Sequence, residues 1–184
     1  MTWLLEKDGQ LLLWLKDAFS HPALDKIMIF ISSLANEGRI WIAIGVFFLL
    51  LGFFKDRIWK RRGMLLLLSL ALNFLVCNMT LKPLIGRTRP YYVLGYDPLI
   101  PPVGDPSFPS GHTSVSFAAA TAIYAINKKW GIAAYIFAAV MGFSRLYLGV
   151  HFPTDVLAGA LVGTAAAMVM IKIFNAKQRN RSDL

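Results

Sequence analysis

One cysteine, Cys77, leaves the chain without any internal disulfide framework. It lies in an apolar run and reads as a small buried residue. Charge is scarce as well. Asp, Glu, Lys and Arg make up 16% of the 184 residues against 57% hydrophobic ones, too apolar for an ordinary soluble domain. Acids are the scarcest class, 10 against 19 basic residues, for a net charge of +9. That excess does not mark a nucleic-acid surface, because no folded basic face or aromatic–basic platform is visible. The bases gather instead in short links between apolar runs, at 55–62, at Lys128-Lys129 and at 172–181, the pattern of a membrane protein beside an anionic leaflet. No cleavable signal sequence is expected, since the opening MTWLLEKDGQ places acids where a signal peptide has a basic start. No internal repeat or low-complexity segment occurs.

What the chain does have is apolar length. Five runs approach the roughly 20 residues that a bilayer crossing needs: Arg39–Phe54, 64–81, Gly111–Ile126, 130–147 and 154–174. The first and third are short, so their ends borrow flanking residues or sit where the membrane is thin. Residues 3–19 mix Leu4, Leu5, Leu11, Leu12, Leu15 and Phe19 with Glu6, Lys7, Asp8, Lys16 and Asp17. This predicts an amphipathic helix, broken near Gly9, lying at the interface. A second piece, 23–34, follows His21-Pro22, stops at Asn36-Glu37-Gly38 and is too short to span alone. The expected fold is an all-α integral membrane bundle of five transmembrane helices, with a sixth through 22–36 as the alternative. It forms one membrane-embedded domain over 1–184: interfacial helices in 1–36, a transmembrane core in 37–176 and a cytoplasmic tail in 177–184.

The basic links should face the cytoplasm. An alternating path then places 81–111 and 145–155 on the outer face of the plasma membrane. Those two stretches carry three polar patches that a membrane protein rarely keeps without a function. The first is Lys82-Pro-Leu-Ile-Gly-Arg87-Thr-Arg89-Pro90, where fixed cations flank a predicted helix end and Arg89 offers a planar fork for phosphate oxygens. These cations could equally snorkel to lipid headgroups, but positive charge on the outer side runs against the topological bias. The second is Pro109-Ser110-Gly111-His112. It opens a helix whose first amides form an anion cradle, with Gly111 permitting close approach, Ser110 as N-cap and His112 at the rim to protonate a leaving oxygen. A capped helix with an incidental histidine is the plainer reading of this patch alone.

The third patch is Ser144-Arg145 followed by His151-Phe152-Pro153-Thr154-Asp155. Asp155 falls on the side of His151 if one helix includes both. There it would fix the ring's tautomer and leave the other nitrogen as nucleophile; otherwise it caps the helix start. Arg145 supplies a third cation for charge developing on a phosphoryl group. A metal site would set His112, His151 and Asp155 among three cations with no further carboxylate or cysteine cluster, so no metal and no cofactor is expected.

Taken together the patches closely resemble the type 2 phosphatidic acid phosphatase family, membrane lipid phosphatases that share a phosphate-site plan with vanadium haloperoxidases. That family's pattern is Lys, six residues, Arg-Pro; then Pro-Ser-Gly-His; then Ser-Arg, five residues, His, three residues, Asp. It is met here at Lys82 and Arg89-Pro90, at Pro109 to His112, and at Ser144-Arg145, His151 and Asp155. The resemblance implies a metal-independent reaction with His151 as the nucleophile that becomes phosphohistidine, oriented by Asp155. It implies His112 as the acid that protonates the leaving group and then activates water. It implies phosphate binding by Lys82, Arg89, Ser110, Gly111 and Arg145.

A small chain with an outer-face site and an interfacial N-terminus suggests a lipid whose phosphate sits at the outer leaflet. Undecaprenyl diphosphate comes first, with phosphatidylglycerophosphate or phosphatidate as alternatives, in a bacterial cell. Glu37 is a candidate head-group contact, or merely an acid at a helix start. Tyr91, Tyr92 and Tyr96 line the 91–108 cover or are ordinary interfacial aromatics. A lipid-binding or transport protein without turnover is the reading from another class, though binding alone requires no nucleophile with an orienting acid. A haloperoxidase, which needs vanadate, and a channel, which needs polar faces along its spans, are not expected.

Overall fold

Caps and glycines set the boundaries of the helices. The computed structural model describes residues 2–182, except for the side chains at positions 2, 4, 37 and 177–182. Helix α1 is Thr2–Phe19 and α2 is Pro22–Leu34. His21 caps α2 by accepting from the Ala23 amide at 3.2 Å, with Pro22 in the first turn. A short 3-10 turn, Asn36–Gly38, leads into α3, Arg39–Phe54. Asp56 then caps α4, Arg57–Phe74, accepting from the amides of Ile58 at 2.8 Å and Trp59 at 3.3 Å. The chain continues through a π turn, Leu75–Leu81, into α5, Lys82–Ile85, which ends at Gly86 in the left-handed region. Helix α6, Pro90–Leu94, and an irregular cover at 95–110 follow. The last three helices are α7, Gly111–Ile126; α8, Lys128–Tyr147; and α9, Pro153–Ser182. No strand occurs among the described residues.

Four of the five apolar runs each fall within one helix and 64–81 runs from α4 through the π turn, so the all-α architecture matches expectation. Three stretches, Arg57–Leu94, Lys128–Tyr147 and Pro153–Ala176, are individually long and apolar enough to cross a membrane. Helices α2 and α3 meet that test only together, as a pair bent by 43°. Helix α7, with 16 residues, does not meet it. It packs inside the bundle. The buried Thr113, Ser114, Ser116, Ala118, Ala119, Ala120 and Ala122 let α4, α8 and α9 close around it, so neighbouring helices rather than lipid cover it. The approach is tightest against α9. A Cβ on Gly159 would stand 2.6 Å from the Ser110 carbonyl oxygen, and one on Gly163 only 2.0 Å from that of Ser114. Trp41 ties α3 to the same helix, donating its indole N–H to Ser116 Oγ at 3.1 Å.

One expectation is corrected. Helix α1 is unbroken through Gly9, which is buried against Leu94. The glycine serves close approach to α6 rather than a break, because a Cβ there would lie 3.2 Å from the Leu94 side chain.

The end of α4–α5, the start of α7, the end of α8 and the start of α9 meet at one end of the bundle. The basic links after α3 and α7 lie at the other, about 24 Å away along a 16-residue helix.

Candidate active site

The π turn is what aims the first patch. It closes with the Lys82 amide bonded to the Cys77 carbonyl, and the wider turn places Asn73, Asn78 and Lys82 along one cavity wall. Lys82 is only 4% exposed. Its ammonium pairs with Asp105 and donates to the Pro106 carbonyl at 2.9 Å. Arg89, 3% exposed, faces the same carboxylate: Nη2 lies 2.6 Å from Asp105 Oδ1, and Nε donates to the Asp105 carbonyl at 3.0 Å. Burial pushes the Asp105 carboxyl up, but Lys82 and Arg89 outweigh it and hold the group below the usual carboxylate range.

Arg89 also determines the orientation of the third patch. Its Nη1 donates to the Val150 carbonyl at 2.8 Å and lies 3.1 Å from His151 Nε2. A guanidinium only donates, so Nε2 presents its lone pair to the cations and the ring proton sits on Nδ1. Nδ1 faces Asp155 Oδ2 and Ser107 Oγ, each at 3.5 Å. His151 is 1% exposed and lies in the loop before α9. One helix therefore does not include both residues; the pair meets across the first turn of α9. There Asp155 Oδ2 accepts from the Phe152 amide at 2.9 Å and from Ser107 Oγ at 2.5 Å. Burial, then the neighbouring Arg89, holds the His151 imidazole well below its ordinary range, so the ring is neutral near pH 7.

Gly111 and His112 open α7 into the same cavity. His112 Nε2 is 2.9 Å from Asn36 Oδ1. Ser110 is fully buried beneath them; its amide donates to the Asp155 carbonyl at 3.0 Å, and its hydroxyl pairs with Thr113 Oγ1 at 2.9 Å. Arg145 is bonded to Ser32 on α2 through Nη1, while its buried Nε has no partner among the described residues.

Lys82, Arg89, Gly111, His112, Arg145 and His151 thus line one cavity of about 510 Å³, with Asp155 directly behind His151. Ser110 supports the cavity from below. The Glu37 side chain lies outside the described residues; its backbone is in the 3-10 turn beside Asn36. The cavity continues along Ile42, Leu70, Phe74 and Val115, an apolar wall beside a cationic floor.

A sequence profile of the PAP2 superfamily matches residues 62–179, which hold all three patches. The chain belongs to the PAP2 superfamily. This PAP2 chain is 34% identical to an undecaprenyl-diphosphatase of Bacillus subtilis over 143 residues, covering 77% of this chain and 70% of the relative. It is 28% identical to a lipid A 4'-phosphatase of Porphyromonas gingivalis, covering 95% and 75%. The crystal structure of a PAP2-type phosphatidylglycerolphosphate phosphatase from Bacillus subtilis superposes with a TM-score of 0.79 at 28% identity, covering 96% of this chain and 88% of that one. These relatives are phosphatases, and the expectation of a membrane phosphatase holds.

Several polar partners in this PAP2 chain escape sequence reasoning. Asp105 and Ser107 lie in the cover just before Pro109 and carry no helical or motif signal. Asn36 and Ser32 reach the site from the α2 end. Arg87 belongs to the first patch but does not snorkel to lipid. Its guanidinium stacks 4.0 Å from the Phe152 ring centroid and pairs with Asp155 at 2.6 Å and Asp8 at 2.7 Å. Tyr91 and Tyr96 do hold the cover: Tyr91 accepts from the Val103 amide at 2.9 Å, and Tyr96 donates to the Gly149 carbonyl at 2.7 Å.

Proposed function

We propose that this protein hydrolyses a lipid phosphate at the outer membrane face through a phosphohistidine at His151. The reading puts undecaprenyl diphosphate first, cleaved to undecaprenyl phosphate and inorganic phosphate. The observation that carries it is the His151 ring: a lone pair at Nε2 turned toward three buried cations, with Nδ1 backed by Asp155.

In the first step Nε2 attacks phosphorus and the bond to the leaving oxygen breaks. His112 gives that oxygen its proton, the bound phosphate's negative charge favouring imidazolium beforehand. Lys82, Arg89, Arg145 and the Gly111 amide hold the phosphoryl oxygens as charge develops on them. In the second step water attacks phosphorus, its proton passes to His112 and the P–N bond breaks. The proposed steps use no metal: Lys82, Arg89 and Arg145 crowd the two imidazoles with positive charge, and Lys82 and Arg89 already occupy the Asp105 carboxylate. The apolar wall suits a lipid tail, and the similarity to an undecaprenyl-diphosphatase favours the polyprenyl substrate. Phosphatidylglycerophosphate remains the second reading, on the likeness to the phosphatidylglycerolphosphate phosphatase structure.

The test is phosphate release by purified protein in detergent with a chelator present, comparing polyprenyl diphosphate, phosphatidylglycerophosphate and phosphatidate. Release with a polyprenyl preference is expected, abolished by His151→Ala. Wild-type rates from His151→Ala would sink the mechanism. No release by folded wild type would leave a lipid-binding or transport protein.

A further inference from the structure

Asp8 is a buried carboxylate on a helix otherwise suited to the membrane interface. Trp3, Leu11 and Trp14 of α1 are exposed, whereas Asp8 is 4% exposed. Interfacial seating gives no reason to bury an acid. Its contacts supply one. Asp8 Oδ2 pairs with Arg87 Nη2 at 2.7 Å, and Arg87 Nη1 pairs with Asp155 Oδ1 at 2.6 Å. One guanidinium bridges two buried carboxylates. Asp8 also takes the Thr154 amide at 3.0 Å and the Thr154 hydroxyl, so it caps the helix turn that holds Asp155.

We propose that Asp8 is a positioning residue for the His151–Asp155 pair, acting through Arg87; the inference rests on the phosphohistidine reading above. The argument is one of charge. Asp8, Arg87 and Asp155 together carry −1, whereas Arg87 and Asp155 alone carry zero. His151 becomes a cationic N-phosphoryl imidazolium during the reaction, with its Nδ1–H toward Asp155. Lys82, Arg89, Arg145 and His112 face that ring from the cavity side, and Asp105 is the acid among them. Behind Nδ1 the acid is Asp155. Asp8 occupies half of the Arg87 fork, so Asp155 keeps the negative charge that stabilises the imidazolium. Without Asp8 the whole guanidinium charge falls on Asp155, and the intermediate loses its counter-charge.

The test uses the full chain in detergent and phosphate release from the best substrate of the panel, followed against pH. Asp8→Asn is expected to lower kcat about ten- to a hundred-fold, as loss of a supporting partner does, with KM moving less than about threefold. The acid limb of its kcat profile should move to lower pH, because removing a negative charge makes the ring easier to deprotonate. Asp8→Glu should recover most of the rate. Asp8→Asn with Arg87→Gln restores a net −1 and should exceed Asp8→Asn alone. Leu12→Ala, a fully buried α1 position, should lower the melting temperature without moving the acid limb. The proposal is overturned if wild type turns over while Asp8→Asn keeps its kcat. It is equally overturned if Asp8→Asn merely matches Leu12→Ala with an unmoved limb, or if the double variant is no better than the single. An inactive, folded wild type overturns the phosphatase reading itself, and the inference with it.

Discussion

Two buried cations, Lys82 and Arg89, share one carboxylate. Asp105 pairs with both Lys82 and Arg89, yet its side chain is 45% exposed and rides on the irregular cover. Under the proposed function, an entering phosphate must share those donors or displace it. Asp105→Asn removes the competing charge while keeping the side-chain shape. It should tighten binding of inorganic phosphate roughly tenfold, equivalent to about 1.4 kcal/mol, in a titration against substrate hydrolysis. Weaker binding would show instead that the carboxylate aligns the cations. Lys82, Arg89, Arg145, His112, His151 and Asp155 were legible because their spacing is local to each patch. Asp105 was not, because a lone acid in an irregular loop has no periodicity to betray its target.

Among the elements, the α7–α9 contact decides where the His151 loop sits. Gly159 and Gly163 lie four apart on one face of α9, directly under the Ser110 and Ser114 carbonyls at the start of α7. Apolar length in the sequence identifies α9 as a span but does not say which face meets α7. Gly163→Ala would set a Cβ against backbone that cannot swing aside. It should destabilise the protein by about 1–3 kcal/mol, the usual cost of overpacking, seen as a lower melting temperature in detergent. Gly104→Ala, with open space around it, should leave the melting temperature unchanged. Equal melting temperatures for the two variants would refute so tight a contact. The π turn was equally hidden: hydropathy registers helix and burial, not a local change in the number of residues per turn.

For the molecule as a whole, the placement of charge predicts which way the bundle faces. The site and the basic links lie at opposite ends, and the positive-inside bias predicts the site on the outer side. In a Cys77→Ser background, Gly104→Cys should react with a membrane-impermeant maleimide on intact cells. Lys129→Cys, exposed at the far end, should react only after permeabilisation. The reverse pattern would place the site in the cytoplasm.

Sequence alone determined the helical membrane bundle, the three patches and the family, since apolar length and motif spacing are properties of contiguous residues. Tertiary structure decided what stands behind those patches. Asp8 meets Arg87 across 79 positions, Asn36 meets His112 across 76, and Ser32 meets Arg145 across 113. It also decided that Gly9 is a contact rather than a break, and that His151 precedes the α9 helix holding its acid. Periodicity reports which face of a helix is buried, whereas the partner met by that face depends on how separate helices pack.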